Sequence, residues 1–468
     1  MYKVLRLYEM VFRQGTLARR IVHAVISIAL RLFFRRIETS GAEKVPEKGA
    51  LIFVLNHPNG LIDPALVFVA LPRPISFLAK STVFNLPVIS FLLRTLETLP
   101  LYRRIDAGEN VAQNQKTFAA CHELLGKGGA IALFPEGISH NETKLLPVKT
   151  GAARIALGAL SIDRDRDLNL KICPVGLYYT SKTSFRSEAL LRFGEPFAVL
   201  PVEMDENGQL PRQAVRELSE KIAESLRGVT LNVENAEQLE TVRRTEQIFS
   251  SVYETVNFRT SLAEELQTRR RFAAQIEDFR RRAPERVEQL TKRIENYERE
   301  LRRIGIAPEH LSVSAHPLRD VIFRFWLRVA IIAAFAPIVF VGAVLHLPAY
   351  LLCLLLARIF RRHGPDESGG TIKILAAILL MPLTWLAISV AAFFLWNWQA
   401  GVIAFPLAIV CGYVALRSLE ELIAMRGWYK AARVLVRSPN LFVRLLRERR
   451  VLYDEITAFD AENGPPRS

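Results

Sequence analysis

Two long stretches of this 468-residue chain contain no Asp, Glu, Lys or Arg: Val329 to Ala357, and Ile374 to Leu416, a run of 43 residues. A membrane span needs roughly 20 apolar residues. The second run therefore holds two spans, with a turn near Asn397-Trp398-Gln399. The first fits either one tilted span or a hairpin bent at His346-Leu347-Pro348. Arg319, Arg324 and Arg328 precede it, Arg358, Arg361, Arg362 and Lys373 follow it, and Arg417, Arg426 and Lys430 close the second run. Positive residues favour the cytoplasmic face. Three basic flanks thus predict two hairpins with both ends, and the N-terminal part of the chain, on the cytoplasmic side.

Cysteine is scarce. The four, Cys121, Cys173, Cys353 and Cys411, show no CxxC spacing, which argues against a zinc site or a disulfide framework. A cleaved leader is not expected: the apolar run Ile21 to Phe34 is broken by His23 and Arg31, and no small-residue cleavage site follows. The basic residues border apolar stretches instead of alternating with exposed aromatics, which argues against nucleic acid. Yet the net charge is +15 and the pI about 9.8, so the partner is anionic, and the apolar C-terminal third points to a phospholipid membrane.

The length suggests two or three domains. Residues 1–36 form a basic amphipathic segment, in which Ile21, Val22, Val25, Ile28, Leu32 and Phe33 keep helical spacing among arginines. It reads equally as a helix packed on the next domain or as one lying on the bilayer. Residues 37–230 alternate apolar strand-like runs (Ala50 to Leu55, Ile75 to Leu78, Ala130 to Phe134, Leu170 to Val175) with helical patterns. This predicts an α/β domain with a mixed, largely parallel sheet and flanking helices. Residues 231–315 are polar and helical, with Val287, Leu290, Ile294, Tyr297, Leu301 and Ile304 forming a seam of under three heptads, enough for a helical hairpin. Residues 316–420 are the transmembrane helical region, and 421–468 a basic amphipathic tail.

Two turns carry the chemistry. Asn56-His57-Pro58-Asn59-Gly60-Leu61-Ile62-Asp63-Pro64 follows the first apolar strand, and Phe134-Pro135-Glu136-Gly137 ends the third. In open sheets, sites form at the carboxyl ends of strands. His57 and Asp63 are six residues apart, so the turn can fold the carboxylate onto one ring nitrogen and leave the other as a base. A local cap is the plainer reading of a lone His-Asp pair; the second acid-glycine turn favours chemistry.

These residues resemble the glycerolipid O-acyltransferase superfamily, the glycerol-3-phosphate and lysophosphatidate acyltransferases. Most members place four residues between the motif His and Asp; the five found here resemble the yeast-type branch and its bacterial relatives. Two further blocks fit in family order. Leu99-Pro100-Leu101-Tyr102-Arg103-Arg104 looks like the second motif, and Ile172-Cys173-Pro174-Val175-Gly176-Leu177 like the fourth, near the acyl-donor pocket. The resemblance covers roughly residues 35 to 200.

It implies acyl transfer from acyl-CoA or acyl-carrier protein, as co-substrate, to a phosphate-bearing glycerol acceptor, with no cofactor and no metal. His57 would be the general base, oriented by Asp63. Asn59 and Gly60 of the turn would meet the substrate through backbone N–H groups. Arg103 or Arg104 would hold the acceptor phosphate, with Lys80 adding charge; Glu136 would hold acceptor hydroxyls or order the pocket, and Gly137 would let backbone approach. Superfamily members often carry an arginine two residues after the motif glycine. Here Ile138, Ser139 and His140 follow Gly137, so phosphate binding rests on Arg103, Arg104 or Lys149. His140 reads as pocket lining. A remodelling acyltransferase for another lysolipid, or a scaffold with an inactive α/β domain, are the alternatives.

Overall fold

The computed structural model describes residues 15–71, 73–85, 87–102, 111–162, 168–253, 261–306, 318–361 and 368–462. Arg103 and Arg104 lie outside the described residues. The chain forms two units: residues 1–232 with 357–375, and residues 233–356 with 376–468.

The first unit holds α1 (Leu17–Phe33), β1 (Arg36–Ser40), β2 (Leu51–Leu55), α2 (Ile62–Ala70), β3 (Ser76–Lys80), α3 (Pro87–Thr95), β4 (Leu99–Leu101), α4 (Asn114–Gly126), β5 (Ala130–Leu133), α5 (Gly151–Ile162), β6 (Lys171–Tyr179), β7 (Glu188–Phe193), β8 (Phe197–Ala198) and α6 (Arg212–Val229). The strands make one mixed sheet in the order β1-β7-β6-β2-β5-β3-β4, with β8 on β6. β2 runs parallel to both β5 and β6, and β3 runs parallel to β5 and β4. β7 turns back antiparallel to β6. The carboxyl ends of β3, β5, β2 and β6 therefore share one edge of the sheet. Every residue of β2 and β5 is buried, as expected for strands covered on both faces. Ile52, Val54, Ile131 and Ile172 pack with Ala153, Ala156, Ile222 and Leu226 of α5 and α6.

α1 is turned inside out. Leu17, Ile21, Val25 and Ile28 are exposed along one stripe, while Arg19, His23 and Ser27 are buried with Leu30 and Phe33. The helix packs through its polar side: Arg19 donates to the Ile75 carbonyl at 2.6 Å, and His23 meets Phe68 edge-on with ring centres 5.1 Å apart.

The second unit is helical: α7 (Ala236–Tyr253), α8 (Leu262–Arg282), α9 (Pro284–Ile304), α10 (Leu318–Arg361, its end in the first unit), α11 (Ser368–Leu395, its start in the first unit), α12 (Trp398–Arg437) and α13 (Pro439–Glu462). α9 buries Val287, Leu290, Ile294, Tyr297 and Leu301, and α13 adds Phe442, Leu445, Leu452 and Ile456 to the same bundle.

Among the described residues, three helices are long and apolar enough to cross a membrane, over Phe325–Phe360, Gly370–Leu395 and Trp398–Arg437. The turn between the last two falls at Asn397, whose side chain caps α12 by accepting from the Ala400 N–H at 2.8 Å. The first apolar run is not a hairpin. α10 runs unbroken through Pro337 and Pro348, which corrects the expectation of two hairpins and four spans. A proline in a helix removes one donor and bends the axis, and apolar helices tolerate this where neighbours satisfy the freed groups. His346, the proposed bend, is instead a tie between helices: its Nδ1 pairs with the Gly342 carbonyl at 2.8 Å, and its Nε2 accepts from Trp385 Nε1 at 3.0 Å.

Candidate active site

The end of β2 is locked to β6 by a side chain. Asn56 Nδ2 donates to the Leu177 carbonyl at 3.1 Å, and the Leu177 N–H donates to Asn56 Oδ1 at 2.7 Å. The amide imitates one more residue of the parallel ladder, so the chain leaves the sheet at a fixed point and His57 follows at once. Asp63 sits in the first turn of α2, where the helix N-terminus favours negative charge.

His57 Nδ1 pairs with Asp63 Oδ2 at 2.9 Å. Asp63 is fully buried, and an ionised carboxylate only accepts. Nδ1 therefore carries the proton and Nε2 the lone pair. Nε2 has no hydrogen-bond partner among the described residues, and the His57 side chain is 17% exposed. Asp63 takes two more donors, the Asn59 N–H at 2.7 Å and the Tyr179 hydroxyl at 2.5 Å. Burial, and then the Asp63 charge, hold the Tyr179 phenol well above its usual 10, so it stays a donor.

The second turn supports the first. Phe134 stacks on the His57 ring, with centres 4.0 Å apart and 17° between planes. Glu136 is buried and spends both oxygens on the protein: Oε1 accepts from the His57 N–H at 2.8 Å, and Oε2 from the Leu146 N–H at 2.8 Å and from His140 Nε2 at 2.5 Å. The His140 N–H closes the arrangement on the His57 carbonyl at 3.2 Å.

One expected role changes. The Asn59 N–H is taken by Asp63, and its Nδ2 donates to the Lys182 carbonyl at 2.9 Å, so Asn59 shapes the turn instead of meeting an oxyanion. Both Glu136 oxygens bond within the protein, Oε1 to one donor and Oε2 to two. Gly60 stays at the rim, half-buried, 4.0 Å from Thr371 Oγ1 as measured from an added Cβ. Gly137 has φ +76°, a left-handed conformation that glycine adopts without strain, and a Cβ there would lie 2.5 Å from Lys149 Nζ. Lys149 is exposed beside this turn. Lys80 is exposed at the carboxyl end of β3, on the shared edge.

Tyr179 and the start of α11 were missed in the sequence. Lys373 Nζ donates to the Thr183 carbonyl at 2.7 Å, and a Cβ on Gly370 would come within 2.7 Å of the Lys182 carbonyl and 3.1 Å of Ile62. The first turns of an apolar helix thus clasp the loop that holds Asn59. A separate cavity of about 430 Å³, lined by Gly41, Lys44, Pro174, Arg192 and Gly194, lies at the β6–β7 side and includes no residue of the His57 turn.

Among known proteins, the Acyltransferase family model matches residues 36–178, and the model described as Glycerol-3-phosphate acyltransferase 2 C-terminal domain matches residues 246–467. Glycerol-3-phosphate O-acyltransferase 2 of Saccharomyces cerevisiae is 27% identical over 290 residues, which cover 59% of this chain and 38% of the yeast protein. A chloroplastic 1-acyl-sn-glycerol-3-phosphate acyltransferase of Arabidopsis thaliana is 26% identical over 195 residues, covering 41% of this chain and 50% of that one. The chain thus spans half or less of the length of these two relatives. The crystal structure of a 1-acyl-sn-glycerophosphate acyltransferase from Thermotoga maritima aligns with a TM-score of 0.32 at 19% identity, over 49% of this chain and 88% of that one.

Proposed function

The chain belongs to the glycerolipid acyltransferase superfamily, and from that premise we propose that it is a membrane-bound O-acyltransferase acting on glycerol-3-phosphate. The observation that carries this reading is the His57–Asp63 pair, with Nδ1 engaged and Nε2 open. An acceptor hydroxyl at Nε2 gives up its proton as its oxygen attacks the thioester carbonyl of acyl-CoA or acyl-carrier protein. The C–S bond of the tetrahedral adduct then breaks, and the thiolate takes the proton back from the imidazolium. General base catalysis of this kind contributes roughly 10²–10⁴-fold. The substrate supplies the hydroxyl that a serine supplies in a hydrolase triad.

The C-terminal family match favours glycerol-3-phosphate as acceptor; the chloroplastic relative supports lysophosphatidate as the second reading. Lys149 beside Gly137 supplies positive charge at the rim, together with Arg103 or Arg104 of the second motif.

The test is transfer from labelled acyl-CoA, or acyl-carrier protein, to glycerol-3-phosphate and separately to lysophosphatidate by the full chain in lipid, alongside His57→Ala. Acylated glycerol-3-phosphate that disappears in the variant is the expected result. Product unchanged in the variant overturns the base assignment, and product only with lysophosphatidate moves the acceptor to the second reading. No product with either acceptor from folded protein overturns the reading.

A further inference from the structure

We propose that Tyr179 is a positioning residue of the His57–Asp63 pair: its hydroxyl, bonded to Asp63 Oδ1 at 2.5 Å, keeps Oδ2 turned to His57. For its activity readout alone this rests on the acyl-transfer reading above.

Asp63 has two oxygens and three donors. Oδ2 serves His57 Nδ1 and the Asn59 N–H; Oδ1 has Tyr179. Without the hydroxyl, one oxygen of a fully buried carboxylate loses its partner, and rotation of the carboxylate about its last side-chain bond is no longer resisted. Packing alone does not require a tyrosine here. The ring stacks on Phe34 at 5.8 Å and 30°, and a phenylalanine would stack as well. Phe34 is itself buried at the end of α1, so the ring is held from behind while its hydroxyl holds the acid. Tyr179 is the last residue of β6, hydrogen-bonded neighbour of β2 in the sheet. The rigid sheet therefore fixes both the start of the His57 turn and the hydroxyl that orients its carboxylate.

The hydroxyl also draws charge from Asp63, so its removal has two separable effects. The base is less well oriented, and the carboxylate, with one donor fewer, favours the imidazolium more strongly. Among the described residues, the other ionisable groups bonded around the pair are Glu136, on the His57 N–H, and His140, on Glu136; Lys182 ends on the His140 carbonyl and Asn141.

Tyr179→Phe in the full chain tests this. Carbethoxylation of His57 by diethyl pyrocarbonate, followed on its peptide by mass spectrometry across pH, reports the imidazole titration whether or not the protein turns over. The expected midpoint moves to higher pH than in the parent. The kcat falls roughly tenfold, as for loss of one hydrogen bond to a charged group, while KM for the acceptor stays within about twofold. Phe34→Leu keeps the hydroxyl but loosens the ring, and moves the midpoint the same way by less. If Tyr179→Phe does not fold, Phe34→Leu decides. An unmoved midpoint in folded variant overturns the proposal, even if activity drops. No transfer to either acceptor by the folded parent would instead sink the acyl-transfer reading, and the midpoint comparison would still decide on Tyr179.

Discussion

The backbone N–H of His57 donates to Glu136 Oε1 at 2.8 Å, so the acid of one turn holds the base of the other. Glu136 Oε2 takes two further donors, the Leu146 N–H and His140 Nε2. Glu136→Gln puts an NH₂ where an acceptor is needed and leaves one buried donor unmatched. An unsatisfied buried group costs about 1–3 kcal/mol, roughly a 5- to 150-fold effect. The loss is expected in kcat, with KM for the acceptor little changed. A rise in KM at unchanged kcat would put Glu136 on the acceptor.

Asp63→Asn should be nearly as damaging as loss of His57. An amide offers one acceptor oxygen to three donors. If its NH₂ faces His57, Nδ1 must accept and the proton moves to Nε2, which is then no base. Transfer is expected to fall roughly 10²–10⁴-fold, with circular dichroism unchanged. A variant that is folded and fully active would separate Asp63 from the chemistry.

Lys149→Ala probes the rim. The amine is exposed beside Gly137, so its pull on a phosphate is screened. KM for glycerol-3-phosphate should rise roughly two- to fivefold, less at high salt. An acceptor affinity that ignores both the substitution and the salt would leave the phosphate to Arg103 or Arg104.

Gly370→Leu tests the clasp between α11 and the loop after β6. A Cβ at this position meets the Lys182 carbonyl at 2.7 Å, and that carbonyl accepts from Asn59 Nδ2. Backbone cannot yield as a flexible side chain does. The loop must shift, and Asn59, whose N–H holds Asp63, shifts with it. Activity should fall at least roughly tenfold, about 1.4 kcal/mol, while the protein remains in the membrane fraction. Undiminished transfer would mean that the loop moves without disturbing the acid.

How much of this was legible follows from what each residue touches. β2 and β5 read clearly because both faces are buried and their sequences are continuously apolar. β1, Arg-Ile-Glu-Thr-Ser at the sheet's edge, and the three-residue β4 have no such signature. The His57–Asp63 pairing was legible from spacing, because turn and first helical turn are local. Tyr179 was not: it comes from a strand 116 residues beyond Asp63, and a tyrosine ending an apolar strand reads as packing. The spent Asn59 N–H and the Glu136 oxygens were equally hidden, since hydrogen-bond occupancy is a tertiary property. For α10, charge-free composition marked membrane, but His346-Leu347-Pro348 read as a bend because the Trp385 partner of His346 could not be seen.

α1 makes the domain sensitive to acid. His23 is fully buried against Phe68, with Arg19 and Arg31 nearby, and burial pushes its imidazole down from 6.5 to about 4. Above pH 6.5 both folded and unfolded chains keep it neutral, and it costs nothing. As pH falls from 6.5 towards 4, the unfolded chain takes up a proton that the folded one refuses, so stability is lost through this window. The loss is about 2 kcal/mol by pH 5 and about 3 kcal/mol below pH 4. His23→Leu removes the titration and keeps an apolar side chain against Phe68. The fall in Tm between pH 7.5 and pH 5, measured in detergent, should be several degrees smaller in the variant than in the parent. Equal falls in both would mean that water or a shift of α1 lets His23 charge in place, and that the polar side of α1 is not sealed against the domain.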